Sequence, residues 1–365
     1  MSFRDNVDRM RDWGREAFDG LRDGLRRRWM YRKGLSFGGA DAGAKGAGDS
    51  FLSRLDQPGW AGIAKRAFVA LAVVVLLYYP IGMLMVNRID DDPDFTPTGA
   101  NAIGEGGSQA VAMMAALIDR EVDENSWTAN DPFFQPGALL DNMPNFQTGI
   151  MSALARFAFE MTDQVGRSRG SSEADADLQK AAGLLQYPGD VWIWNPTVSL
   201  APRASSESQY RQARRALLSY NARLVRGEAP FERRSDNLMA TLERFASDLG
   251  SQSAVIDTEV REHSHDFIDS NADDVFYNTK GKLYGYYMIL KGLGQDFAPV
   301  IKERGLQKNW AQMLDTFREA AALSPWVVVN GPPDSQLAPS HLAAQGFYLL
   351  RARTQLREIA NVLLK

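Results

Sequence analysis

The chain has 365 residues, 45% of them hydrophobic, which is enough for one large folded domain or two smaller ones. Its formal net charge of −4 argues against general nucleic-acid binding, so no nucleic-acid partner is expected. No cysteine occurs, which excludes disulfides, thiolate metal sites and thiol nucleophiles.

The N-terminal region, residues 1–33, has the pattern of an amphipathic helix. Its apolar stripe is flanked by ten basic and six acidic side chains. Such a helix suits the surface of an anionic leaflet, and packing on a protein partner or on a second copy is the equal alternative. Residues 34–62 are predicted to be a flexible linker, because the stretch 34–50 contains six glycines.

The next element is an uncharged segment, AFVALAVVVLLYYPIGMLMV, at residues 67–86. At about 1.5 Å per residue, twenty helical residues match the roughly 30 Å hydrocarbon core of a bilayer. The sequence therefore predicts a transmembrane helix over 63–89, with the lipid bilayer as a partner. A buried core helix is the alternative, but such helices rarely run this long without a charge.

The charges on either side of this segment predict its orientation. Residues 1–66 contain 14 Lys and Arg against 9 Asp and Glu, whereas the acidic run DDDPD follows at 90–94. The positive-inside rule then places the N-terminus in the cytoplasm. In a bacterium with two membranes, the protein would be a single-pass inner-membrane protein with a periplasmic C-terminal domain.

The remainder divides into a predicted tether over 90–108 and a helical extracytoplasmic domain over 109–365. The fold class is mainly α, with one transmembrane helix plus a helical bundle and a few short strands or extended segments, expected at 190–202 and 325–333. The predicted helices are 108–126, 146–167, 173–186, 206–226, 234–268, 273–302, 306–323 and 339–364.

A mixture of aromatic, amide and acidic residues with three prolines occupies 123–149. It could line a pocket for a sugar or peptide ligand, or form a packed cap over the bundle, and we favour the cap. The candidate ligand-binding residues are Trp127, Asn130, Asp131, Asp141 and Asn142.

A second candidate site is the stretch GRSRGSS at 166–172. Arg167 and Arg169, together with the start of the next helix, could hold an anion such as a phosphate. An ordinary loop is the favoured alternative, because acidic residues at 173, 175 and 177 would repel an anion.

Two of the three histidines define a possible metal site. His263, His265 and Asp266 are candidate ligands, since histidine and carboxylate suit zinc or another divalent ion. Residues two apart on a helix point in different directions, so an acidic, solvated helix end is the favoured alternative. No resident cofactor is expected.

The stretch FYNTKGKLYGYYMILKGLGQDF at 276–297 carries an aromatic stripe, because Tyr277 and Tyr284 are seven residues apart. Such stripes usually pack in a core. Lys280 and Lys282 lie between these tyrosines, and we expect both lysines to remain solvated.

Four stretches together resemble the proteobacterial family of domain of unknown function 2333. They are NDPFFQPGALLDNMPNFQTG, RFAFEMTDQVGRSRGSSEADADL, YPGDVWIWNP and the aromatic stretch at 276–297. The resemblance spans roughly residues 67–365. Membership would imply a single-span inner-membrane protein and carries no activity or catalytic residues with it.

The preferred functional prediction is a noncatalytic, membrane-anchored scaffold or accessory subunit of a bacterial envelope complex, with a membrane or envelope protein as its partner. Two linkers around one anchor and the lack of a convincing catalytic set favour it. The alternative is an enzyme or binding protein that acts on an envelope glycan or lipid through the segment 123–149.

Overall fold

The computed structural model describes residues 60–168, 174–194, 201–264, 271–333, 335 and 339–365. The predicted N-terminal helix over 1–33 and most of the predicted linker lie outside these residues. The described chain is helical, with ten α-helices and no β-sheet, which confirms the predicted fold class. The helices are α1 (Trp60–Val86), α2 (Gln109–Asp119), α3 (Asn142–Ser168), α4 (Ala176–Leu185), α5 (Ser206–Val225), α6 (Ser235–His263), α7 (Ala272–Asp296), α8 (Ala298–Glu303), α9 (Gln307–Ala321) and α10 (His341–Leu363).

Three short turns supplement the helices. Gly99–Asn101 and Pro136–Leu139 are 3₁₀ turns, and Arg120–Glu124 is a π-helical turn that continues α2. The two segments predicted to be strands or extended form no strand where the structure describes them. An isolated antiparallel bridge joins Asn330 to Ser340.

Helix α1 is the one helix among the described residues that is long and apolar enough to cross a membrane, over Gly62–Val86. None of its apolar window is buried in the protein. The chain divides into two compact units, Met1–Phe68 and Val69–Lys365. The second unit contains the C-terminal part of α1 and all the later helices.

Helix α7 is the central element of this second unit, because side chains on every side of it are buried. Its Tyr284 and Tyr286 are fully buried, which confirms that the aromatic stripe is core. Helix α3 packs closely along it, and a Cβ at Gly281 would collide with the main chain at Phe146. Small residues therefore let these two helices approach through their backbones.

The helix directions follow from contacts along α7. Gly281 meets Phe146 and Gly285 meets Ala153, so α3 runs parallel to α7. Gln252 of α6 donates to Thr279, whereas Asp248 accepts from Tyr286, so α6 runs antiparallel.

The bundle therefore has two ends. At the proximal end, defined as the end that contacts Tyr79 and Gly82 of α1, lie the described parts of the connections between helices, residues 125–141, 186–194, 201–205 and 322–333. At the distal end, Asp296 accepts from the hydroxyl of Ser108 and from the backbone N–H groups of Gln109 and Ala110. The last residue of α7 thus caps the first turn of α2.

Candidate functional site

The acidic run that follows α1 lies against buried cations of the bundle. Asp90 is 3.4 Å from Arg120, and Asp91 is 2.6 Å from Lys280. Residues 90–95 of the predicted tether are thus in contact with the bundle. These two ion pairs attach the chain that follows α1 to the bundle.

Main-chain contacts extend this attachment along α7. The Tyr284 hydroxyl donates to the carbonyl of Asp92 at 2.8 Å, and Lys291 donates to the carbonyl of Pro93 at 2.6 Å. The guanidinium of Arg120 lies over the ring of Phe95 at 4.7 Å. We call residues 90–95 with these partners the mount.

The mount depends on a pair of charges inside the protein. Arg120 and Glu121 are 2% and 0% exposed, and the guanidinium donates to the carboxylate at 2.8 Å. Burial raises the pKa of Glu121, and the charge of Arg120 opposes that rise. The π-helical turn carries both residues and is marked by a hydrogen bond from Asn125 N–H to the carbonyl of Arg120.

The prediction that Lys280 and Lys282 remain solvated is wrong. Lys280 is fully buried and donates to the carbonyl of Leu323 as well as pairing with Asp91. Lys282 is 8% exposed and contacts Gln252 and Asp248. Acids and acceptors from distant parts of the sequence replace the water that these ammonium groups lose.

The candidate residues Trp127 and Asn130 both fasten the connection 125–141 to its neighbours. Trp127 is buried, donates to the carbonyl of Gly189 at 2.8 Å and packs edge-on against Tyr210. Asn130 donates to Glu207 at 2.8 Å and to the carbonyl of Val191. This part of 123–149 is thus packed against α5 and the connection that precedes it.

Asp131, in the same segment, has an unusual environment. Burial, with Glu207 nearby, raises the pKa of Asp131 to about 6. The amide oxygen of Asn130 is buried and has no hydrogen-bond partner among the described residues. A half-buried carboxyl group with this pKa can exchange a proton near neutral pH.

An open groove of about 510 Å³ lies between α3, the end of α4 and the start of α5. Tyr210 and Gly189, which contact Trp127, belong to its lining, whereas Asp131 does not. Met151, Ala155 and Phe159 give the groove an apolar wall. It is large enough for a small ligand or one acyl chain.

Asp141 and Asn142, at the start of α3, lie beside a cluster of acids. Asp141, Asp273 and Asp274 could place carboxylate oxygens within 4.8 Å of one another, a spacing that could hold a metal ion. Asn145 donates to Asp274 at 2.6 Å. Burial and the two neighbouring acids raise the pKa of Asp274, so this group resists becoming negative.

The remaining candidate residues lie elsewhere. Arg167 is at the distal end of the 27-residue helix α3, about 37 Å from Asn142 by helical rise. It pairs with Asp163 and Glu160, so it does not share a cleft with Asp131. His263 ends α6, and Arg169, His265 and Asp266 lie outside the described residues.

Sequence reasoning missed the residues of the mount. Arg120 and Glu121 look like solvated charges at a helix end, and their burial depends on the π-helical turn. The available signal was the DDDPD run, since four acids beside an apolar span need cations or water. Glu207 and Tyr210 were missed because they are about 80 residues away from Asp131 in sequence.

Over the described residues, the fold and these contacts define a helical protein with one candidate membrane span and a bundle fixed to the C-terminal end of that span. A family model, DUF2333, described as an uncharacterized protein conserved in bacteria, matches residues 98–268 and 258–365. The chain therefore belongs to this family, which confirms the resemblance seen in the sequence. No curated protein and no solved structure matches the chain.

Proposed function

We propose that this protein is a single-pass inner-membrane protein that serves as a noncatalytic scaffold or accessory subunit of a bacterial envelope complex. Its N-terminus lies in the cytoplasm and its helical bundle lies in the periplasm. The basic excess before α1 and the acidic run after it support this orientation.

The observation that carries the scaffold proposal is the mount. Only three residues separate Val86, the end of α1, from Asp90, which pairs with Arg120. An extended chain spans at most about 3.5 Å per residue, so the bundle stays within roughly 14 Å of the helix end. A bundle held at a fixed distance from the end of α1, and so from the membrane, can present one surface to a partner, as a scaffold requires.

The test changes the distance between the bundle and the end of α1 without changing the sequence of the helices in the bundle. In a chain that carries Gly82→Leu, which prevents the close approach of α1 to Pro136, a ten-residue Gly-Ser insertion after the exposed Arg88 separates the mount from α1, whereas the same insertion after the exposed Glu105 lies beyond the mount and leaves it attached. Affinity purification from membranes in gentle detergent should recover a reproducible partner with the natural chain. We expect loss of the partner with the first insertion and retention with the second.

Two results would contradict this proposal. Repeated recovery of the natural protein alone would remove the scaffold role. Equal recovery of the partner with both insertions would show that the fixed distance is irrelevant. A reporter fused after Lys365 tests the orientation separately, because it should be active in the periplasm and inactive in the cytoplasm.

Asp131 favours one alternative function, an enzyme or binding protein that acts on an envelope glycan or lipid. Its pKa of about 6 suits acid–base chemistry, and Glu207 provides a second carboxylate nearby. N-acetylglucosamine oligomers and micelles of short-chain phosphatidylglycerol are suitable probes, and isothermal titration calorimetry measures their binding. An absence of saturable change with both probes, or equal binding by Asp131→Asn, would contradict this alternative.

A further inference from the structure

Exposed aromatic residues are concentrated in the connections at the proximal end of the bundle. Phe133 is 84% exposed, and Phe134 and Trp194 are each nearly half exposed. Single exposed apolar residues are ordinary, but Phe133 and Phe134 are in contact with each other and with a tryptophan of a second connection. The ring of Phe134 packs edge-on against both Phe133 and Trp192, at 5.5 and 5.6 Å, and thereby joins two connections.

This group lies directly beside the apolar helix. The Tyr79 hydroxyl donates to the carbonyl of Phe133 at 2.7 Å. A Cβ at Gly82 would lie 2.6 Å from two ring carbons of Pro136, so only glycine lets the connection approach this closely. Residues 79–82 and 133–136 belong to the same compact unit.

We propose that Phe133 and Phe134, together with Leu139 (61% exposed) and Trp194 on the same two connections, form a lipid-docking surface that inserts into the interfacial layer of the bilayer around α1. This inference rests on the proposed membrane anchor and adds a second attachment to it. The bundle would then touch the membrane through its own side chains as well as through the span.

The depth of the connection along α1 supports a lipid occupant. Gly82 and Tyr79 precede the helix end at Val86 by four and seven residues, or about 6 and 10 Å. Amphipathic elements at a membrane surface bury their apolar side about 5–10 Å deep. The connection therefore reaches down the span by the distance that interfacial insertion requires.

The length of the span agrees with this placement. The apolar stretch Gly62–Val86 has 25 residues, about 37 Å of helix, against a hydrocarbon core of about 30 Å. The excess of about 7 Å leaves about one turn of the helix in the headgroup layer, where aromatic side chains are enriched. Tyr78 and Tyr79 then lie at the level of Phe133.

The backbone of the connection is suited to a surface with little water. Gln135 N–H donates to the carbonyl of Pro132 at 2.8 Å, and Leu140 N–H donates to the carbonyl of Gly137 at 3.0 Å. Local turns satisfy these polar groups while the apolar side chains point outward. The surrounding acids, among them Asp141, would disfavour an electrostatic attachment to anionic lipid, so the contact must be apolar.

The experiment uses the natural absence of cysteine. Phe133→Cys and, as a control, Val225→Cys are each labelled with an environment-sensitive NBD probe in the full chain. Val225 is 42% exposed, close to the value for Phe134, but ends α5 about 28 Å from its start at the proximal end. Both proteins are reconstituted at low density in vesicles of phosphatidylethanolamine with phosphatidylglycerol as the minor lipid.

We expect the probe at residue 133 to have blue-shifted emission and to be quenched severalfold more by lipids spin-labelled near the headgroup than the probe at 225. High salt should leave this quenching unchanged, because screening weakens electrostatic but not apolar contacts. Equal, water-like emission from both probes would overturn the inference. A blue shift that disappears on dilution of the protein in lipid would indicate a second copy as the occupant and would also overturn it.

Carbonate extraction of the same vesicles separates this inference from the proposed anchor. If the protein resists extraction but the probe at residue 133 has water-like emission, the proposed anchor is supported and the docking surface is contradicted. If the protein is extracted, both the proposed anchor and the docking surface are contradicted.

Discussion

The two ends of the bundle differ in the contacts that their polar and aromatic side chains make. At the distal end, Asp296 caps α2, and Arg223 bonds both Asp175 and Asp177 at 2.6 Å. At the proximal end, Phe133 is exposed and burial raises the pKa of Asp131. At the distal end, these charged side chains are thus paired or hydrogen-bonded within the protein. At the proximal end, an exposed ring and a carboxyl group with a raised pKa remain, and both suit contact with another surface.

This difference indicates that the distal end contributes mainly to stability, whereas the proximal end is the part suited to binding. Polar caps at the distal end lower the free energy of the folded state in water. Exposed aromatics and a disfavoured carboxylate do not, and proteins generally retain such features at sites that bind something. The mount lies between the two ends and connects the bundle to α1.

The largest expected effect is from Arg120→Met, which breaks the mount. Glu121 would remain buried without a counter-charge, so we expect the free energy of unfolding to fall by about 3–5 kcal/mol. Chemical denaturation in detergent followed by circular dichroism measures the change. The double variant Arg120→Met with Glu121→Leu should recover most of the loss, because the buried carboxylate that lost its counter-charge is then also removed.

The matched control is Arg226→Met, which removes an exposed arginine paired with Glu228. It should cause no measurable change. A similar loss from both single variants would contradict the importance of burial at Arg120.

Asp296→Ala tests the distal end. The hydroxyl of Ser108 and two backbone N–H groups would lose their acceptor in a buried site, so we expect a loss of about 2 kcal/mol. Asp296→Asn retains one acceptor oxygen and should cost less. If thermal unfolding gives the same midpoint for the natural chain and both variants, the cap contributes nothing.

Asp131→Asn tests the proximal end by pH. Because folding raises the pKa of Asp131 from 3.8 to about 6, the carboxylate destabilises the folded state progressively as pH rises through that window. We expect the variant to be more stable by about 1 kcal/mol near pH 7.5, after allowance for the half-exposed side chain, and unchanged near pH 3.5. Exposed Glu105→Gln is the control, and a pH-independent gain from Asp131→Asn would contradict the account.

The smallest effect concerns the backbone beside Trp127. Ser126 has a φ of 66°, a left-handed conformation that glycine adopts more easily. Ser126→Gly should stabilise the protein by about 0.5 kcal/mol, and Ser126→Val should destabilise it by at least about 1 kcal/mol. Denaturation midpoints that rank the two variants in the opposite order would show that the conformation is not strained.

Most helices could be predicted from the sequence because their apolar stripes are local. The predicted helix 206–226 is Ser206–Val225, and 339–364 is His341–Leu363. The errors have local causes too. Helix α3 starts four residues before its predicted start because Pro144 fits a first helical turn. The predicted helix 273–302 breaks at Phe297, because α8 begins at Ala298 with Pro299 in its first turn.

The mount and the acidic cluster could not be predicted because they depend on contacts between distant parts of the chain. Lys280 is buried only because Asp91 and the carbonyl of Leu323 meet it, and neither contact leaves a periodic pattern. Asp141 was a candidate, but its neighbours Asp273 and Asp274 reach it only through the parallel packing of α3 and α7.

The most direct test of the central claim, that the proximal end lies against the apolar span, is a disulfide between Gly82→Cys and Pro136→Cys in otherwise cysteine-free protein in native membranes. The two Cβ positions are close enough for a disulfide after a small displacement. The account predicts near-complete crosslinking on mild oxidation and none for the control pair Gly82→Cys with Phe159→Cys. Absence of crosslinking in the first pair, or equal crosslinking in both, would contradict it.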